Sequence, residues 1–228
     1  MPIEKCAIKI PLVFESDKMR ILDGHSNICI WLYNQLLEKA SQLKEVYKTS
    51  QDPQIGQQLY SPRGLRNIVP KMKQEHPFLK VVHSSVLKNV ALRLTDAIRR
   101  QKESKKNTYK IKWPRFKSRK VEWFSLFYDE PTKGFYVEGN TLHLSLGTGE
   151  DKSRKSLELQ LKEAALLKDK KIRNLRIICE LDLYYAVFTI EKSLVETKEI
   201  KKIIACDPNH KNFFYGVDVD GHAIEVAS

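Results

Sequence analysis

The sequence predicts an α+β protein: a small antiparallel β-barrel or sandwich with a helical bundle inserted after its first strand, then a short further set of strands. Three observations carry this. Residues Ile3–Phe14 alternate apolar and polar at period two. Residues 15–105 hold apolar rows at the three-to-four spacing of helices. Residues 108–191 hold short apolar runs separated by glycine, proline and asparagine.

In the first strand Cys6, Ile8, Ile10 and Leu12 share one face. A long helix follows from Asp17 to about Tyr47, with Ile21, Ile28, Leu32, Leu36, Leu43 and Tyr47 on one stripe and His25 and Ala40 in the same rows. Ser16 or Asp17 is the expected cap. Residues 49–60, polar and holding Pro53 and Gly56, read as a loop. Ser61-Pro62 reads as a helix opening, and Pro70 must kink or split the helix that continues through Leu65, Ile68, Val69 and Met72. A third helix spans Ser84–Lys102, with Val86, Val90, Leu94 and Ile98 in one row. Strands are expected at Glu122–Tyr128, Phe135–Val137, Thr141–Leu146, Leu157–Leu161, Leu175–Leu181 and Tyr184–Ile190, with Leu181-Asp182-Leu183 turning the last pair. The lone N-terminal strand needs partners, and this sheet is the nearest supply. Residues 1–14 plus 106–198 then form one domain, with 15–105 inserted in it. Residues 199–228 start another, with the apolar run Ile203–Cys206, a strand from Phe213 to Val219, a turn at Asp220-Gly221 and a strand from His222 to Val226.

Composition narrows the function. Of 228 residues, 40 are Lys or Arg and 28 Asp or Glu, a formal net charge of +12. No apolar run approaches the length of a membrane span, and the N-terminus lacks a secretory h-region. Cys6, Cys29, Cys179 and Cys206 lie far apart with no C-x-x-C pair, so neither a disulfide framework nor a zinc site is expected, and the location reads as intracellular and cytoplasmic. A polyanion is the leading partner class, and a membrane is not expected.

The charge is concentrated. Arg99, Arg100, Lys102, Lys105, Lys106, Lys110, Lys112, Arg115, Lys117, Arg119 and Lys120 fall within 22 residues against one acid, Glu103, and Tyr109, Trp113 and Phe116 are interleaved. Cations bind phosphates through charge and counterion release, and aromatic rings among them can stack on unpaired bases. The competing reading is a solvated loop whose aromatics anchor it to the sheet. A second basic set lies at Arg63, Arg66, Lys71, Lys73 and Lys80. Asp207 ends a short apolar run before a tight loop, a place where a carboxylate can ligate Mg²⁺. Such a site needs further acids, and Asp218 and Asp220 lie at the far end of the following hairpin. The six histidines show no metal-ligand spacing, and no phosphate-binding glycine loop is present.

These segments together resemble the N-terminal half of TnpB, the RNA-guided nuclease family of bacterial insertion sequences that shares ancestry with type V CRISPR effectors. Trp31-Leu32-Tyr33-Asn34-Gln35-Leu36-Leu37 is similar to the family's early helix. Pro77-Phe78-Leu79-Lys80, with the helix ending at Arg99-Arg100, resembles its next landmark. Trp113-Pro114-Arg115-Phe116-Lys117-Ser118-Arg119 is similar to its P-R-F-K-S segment, and Ile177–Ile190 with Tyr184-Tyr185 to the strand pair before the nuclease domain. Ile204-Ala205-Cys206-Asp207 with Lys211-Asn212 resembles the first RuvC motif, G-I-D-L-G-x-K-N.

The resemblance implies a wedge-type barrel, a helical recognition lobe and the first strands of an incomplete RuvC/RNase H-like domain. It implies guide RNA and double-stranded DNA as partners, and Asp207 as the first of three carboxylates on Mg²⁺. The sequence departs from the family where Asn209 replaces the glycine after that aspartate. The later glutamate, the four-cysteine zinc element and the last aspartate have no counterpart. The expectation is therefore a protein that binds nucleic acid and does not cut unless a second chain supplies the missing acids. The alternative is a non-catalytic module, either a guide-dependent repressor or a decayed transposase fragment.

Overall fold

The computed structural model describes residues 4–104, 110–148, 153–191, 204–207, 212–218 and 220–227, and the chain divides into two units, Met1–Lys192 and Ser193–Ser228. In the first unit the opening alternation becomes β1 (Lys5–Pro11). It pairs antiparallel with β7 (Leu183–Glu191), so the N-terminal strand finds its partner more than 170 residues away, with Ile10 opposite Ala186. β7 pairs in turn with β6 (Ile172–Glu180), and β6 with β2 (Leu126–Tyr128), giving the order β1-β7-β6-β2. A second sheet has the order β3-β4-β5, from Phe135–Glu138, Thr141–Thr148 and Arg154–Gln160.

These two sheets do not close into a barrel. They meet at one corner, where Leu12 bridges Leu161 and the Val13 and Lys162 amides donate to Gln160 and Pro11 carbonyls. Across the interior, Phe135 faces Phe188 with ring centroids 6.4 Å apart. β2 is shorter than the sequence suggests. The Phe124 amide donates to Ser26 Oγ (2.6 Å) instead of to a neighbouring strand, so the ladder begins only at Leu126.

The β6–β7 hairpin turns at Leu181-Asp182, with φ of 50° and 61°. Two left-handed residues match the twist of a hairpin, but leucine is strained there and this side chain is 97% exposed. Leu181→Asn should therefore raise stability by about 1 kcal/mol, read as a higher urea midpoint at unchanged slope.

Between β1 and β2 lies the helical insertion: α1 (Ser16–Ser50), α2 (Pro53–Tyr60), α3 (Val69–Glu75) and α4 (Ser84–Ser104). α1 begins after Glu15 with no side-chain cap, so neither Ser16 nor Asp17 serves as one. Its buried face keeps His25, Leu32, Leu36 and Ala40 of the expected rows and widens them. Leu22, Cys29, Leu32, Leu36 and Ala40 are fully buried, whereas Ile21 is exposed, because α1 is covered on two sides rather than one.

α2 replaces the expected loop. Asp52 caps it by accepting from the Gln54 amide (2.8 Å), Pro53 occupies its first turn and Leu59 is buried beneath it. Ser61-Pro62 ends this helix instead of opening one. A 3₁₀ turn (Leu65–Ile68) follows, and Pro70 falls in the first turn of α3, where it disrupts no hydrogen bond. α4 packs on α1, and its expected row Val86, Val90, Leu94 and Ile98 is buried. At Gly147 of β4 a Cβ would overlap the Lys80 carbonyl oxygen, so glycine lets the second sheet touch the insertion. No helix among the described residues is long and apolar enough to cross a membrane.

The second unit holds a three-stranded sheet in the order β10-β9-β8, from Ala223–Ala227, Asn212–Asp218 and Ile204–Asp207.

Candidate nucleic-acid interface

The basic segment forms a strap along α1. It leaves the end of α4 at Ser104, whose hydroxyl donates to the Gln101 carbonyl and accepts from the Ile111 amide, both at 2.9 Å. Lys105 and Lys106, with Tyr109, lie outside the described residues. From residue 110 to 125 the chain then runs antiparallel to α1. Trp113 Nε1 donates to Ser41 Oγ (3.2 Å), Asn34 takes both polar groups of Lys117, the Phe124 amide reaches Ser26, and Trp123 Nε1 donates to Asp23 Oδ1 (2.8 Å). Ser41 to Asp23 spans about 27 Å of helix, a length that only extended chain covers in so few residues.

The central contact is a two-point clamp. Asn34 Nδ2 donates to the Lys117 carbonyl (2.9 Å) and Asn34 Oδ1 accepts from the Lys117 amide (2.8 Å). An asparagine amide copies the edge of a β-strand, so one side chain fixes the peptides on both sides of Lys117. Below it, Tyr33 lies against Phe124 (6.1 Å), and burial raises the pKa of the Tyr33 phenol. The Arg93 guanidinium sits 4.4 Å over the Phe124 ring and shares Ser125 Oγ with Arg176. At the far end Asp23 Oδ1 accepts from both Trp123 and Tyr184 Oη (2.8 Å). That contact ties the strap to β7, and burial together with Asp23 pushes the Tyr184 phenol well above its ordinary pKa.

The strap thereby sorts the expected binding residues. Trp113 is an anchor, held by Ser41 with the Lys44 ammonium 4.2 Å over its ring. Lys117 is paired with Glu122 and lies 5.5 Å from the Tyr33 ring. Arg99 is paired with Asp96 and Glu103, and Lys102 sits over Tyr60 (3.9 Å). Arg100, Lys110, Lys112, Arg115, Arg119 and Lys120 are exposed and make no ion pair among the described residues. Phe116 is exposed as well.

The second basic set is not joined to this strap by any hydrogen bond, ion pair or ring contact among the described residues. Lys71 pairs with Glu75, and Lys73 donates to Ser84 Oγ (2.9 Å), with burial lowering its pKa. Arg63 and Arg66 are exposed, Arg63 on the edge of a shallow groove of about 420 Å³ with Gln54, Gln57 and Asn67.

Asn34 stands in the sequence only as part of the Trp31–Leu37 motif, and Ser41 and Asp23 carry no signal at all, since nothing in their spacing announces a partner 72 to 100 positions away. The structure also brings together two segments the sequence singled out separately: Trp31 meets Phe78 edge to face, ring centroids 4.8 Å apart.

For Asp207 the described facts are those of the backbone. It ends β8 opposite Tyr215, while Asp218 stands opposite Ile204 at the other end of the same ladder. The register thus keeps Asp218 away from Asp207. Among the described residues no three His, Cys, Asp or Glu side chains gather so as to hold a metal ion. The Mg²⁺ site that the resemblance implies would draw on Asp207 together with groups outside the described residues, and no chemical step is assigned to it.

No protein-family model matches this chain, and no curated protein does. Among solved structures it is similar to a chain in a cryo-EM structure of a CRISPR-Cas12f ternary complex, with 12% identity and a TM-score of 0.45 over 94% of this chain. The overlap covers 49% of that protein, so the chain here spans about half its length. A likeness this loose fixes neither partner nor activity.

Proposed function

We propose that this chain binds nucleic acid through the strap, and that it does so as a TnpB-like protein holding a guide RNA and a DNA target. One observation carries the binding claim: a rigidly docked segment presents Lys110, Lys112, Arg115, Arg119 and Lys120 outward without acidic partners among the described residues. Unpaired cations release condensed counterions from a phosphate backbone, while cations already paired to carboxylates release few. The clamp by Asn34 means that little conformational freedom is lost on binding. The guide and target come from the sequence motifs, several of which meet along α1: Asn34 holds Lys117, and Trp31 packs on Phe78. Asp207 enters only as the first carboxylate that the motif assigns.

The test is the salt dependence of binding to a structured RNA. Arg115→Gln with Arg119→Gln should reduce the slope of log K against log salt by roughly 1.5. Lys117→Gln should change it little, because that ammonium is already spent on Glu122. An unchanged slope in the double variant would show that the strap does not face the phosphates.

A further inference from the structure

We propose that Phe116 is a stacking platform for an unpaired nucleobase, with Arg115 and Arg119 taking the phosphates on either side, so that the strap selects single-stranded over fully paired nucleic acid. This rests on the strap being the nucleic-acid surface. The sequence offers Tyr109, Trp113 and Phe116 for such a role; Tyr109 lies outside the described residues, and the described aromatics of the strap other than Phe116 are engaged. Trp113 spends its N–H on Ser41 and one ring face on Lys44. Trp123 spends its N–H on Asp23 and packs edge to face on Tyr184. Phe124 is buried. Phe116 is 64% exposed.

A phenyl ring left in water is unfavourable, and loop phenylalanines that serve only as anchors turn inward, as Phe124 does. Phe116 is held outward because its neighbour cannot move. The Lys117 peptides are fixed by Asn34, and Pro114 stiffens the approach. The ring therefore stands on a fixed backbone, flanked in sequence by Arg115 and Arg119, which are exposed and lack ion-pair partners among the described residues. The faces of unpaired bases are open to such a ring, whereas those of a continuous duplex are covered by neighbouring pairs. Charge selects the occupant: a ring between cations fits a base between phosphates.

The experiment measures binding of the whole chain to fluorescein-labelled oligouridine, to oligothymidine, and to the duplex of oligouridine with oligoadenosine. Phe116→Ala should weaken binding to the single strands roughly 5- to 150-fold. Duplex affinity and the salt slopes should stay as they were. Phe116→Trp should restore single-strand affinity, and loss on only one of the two single strands would identify RNA or DNA as the source of the base. The proposal is overturned if Phe116→Ala binds oligouridine and oligothymidine like the parent, or weakens duplex binding equally. It is also overturned if the change appears only with phosphatidylserine vesicles, where the ring would be a membrane wedge. Because salt slopes report Arg115 and Arg119 and the alanine variant reports the ring, failure of the stacking claim is separable from failure of the strap reading.

Discussion

Replacing Asn34 by alanine should loosen the basic strap without removing any of its charge. The variant loses both hydrogen bonds to Lys117 and leaves that residue's amide and carbonyl without partners at a half-buried site. The expected cost is about 1–3 kcal/mol of unfolding free energy, measured by urea denaturation. RNA affinity should fall because the freed strap must be ordered on binding, while the salt slope stays the same because every cation is still present. Trypsin should also cleave sooner among Arg115, Lys117, Arg119 and Lys120. Asn34→Asp keeps the acceptor for the Lys117 amide but sets a carboxylate against its carbonyl, so it should rescue only part of the loss. If Asn34→Ala matches the parent in stability and affinity, the strap is held by its tryptophan ends alone.

Acid should destabilise the protein chiefly through the buried imidazole of His25, with His83, whose pKa burial also lowers, acting in the same direction. His25 on α1 is 5% exposed, its Nδ1 has no hydrogen-bond partner among the described residues, and burial lowers its pKa to about 4. An unfolded histidine titrates near 6.5. Between these values the unfolded chain takes up a proton that the folded chain refuses, so stability falls as pH drops through this window. Above about pH 6.5 the contribution is fully present, and below about pH 4 the loss is complete, at roughly 3 kcal/mol. His25→Leu keeps an apolar side chain in the site and cannot titrate, so its stability should vary less between pH 7 and pH 4 by that amount. A parallel pH dependence in the two proteins would mean that His25 is protonated at no cost in the fold.

Much of this molecule could be read from one dimension. Period two announced β1 and its buried face, and rows at helical spacing announced α1 and α4. The strained Leu181-Asp182 turn sat where two strand signals abutted. Local spacing failed where the deciding partner was distant. The polar run around Gly56 masked α2, although Asp52-Pro53 was a legible start signal; what makes it a helix is Leu59 reaching the shared core. The expected strand from Glu122 lost its first half because the Phe124 amide turns to Ser26 on α1, while the Trp123 side chain is held by Asp23. Two sheets joined at Leu12 and Leu161, rather than a closed ring, follow from which edges find partners, and no strand carries that information alone.

The same division runs through the candidate site. Sequence by itself determined that a dense band of cations with interleaved aromatics exists, and that Asp207 closes a short strand. Only the tertiary structure decided that Trp113 is an anchor and Phe116 is not, that Lys117 is spent on Glu122, and that Arg115 and Arg119 remain without acidic partners among the described residues. The reason is that charge and period are properties of a residue and its neighbours in the chain. Whether a cation is neutralised or a ring is covered depends on groups such as Asn34 and Ser41, which folding brings from 72 to 83 positions away.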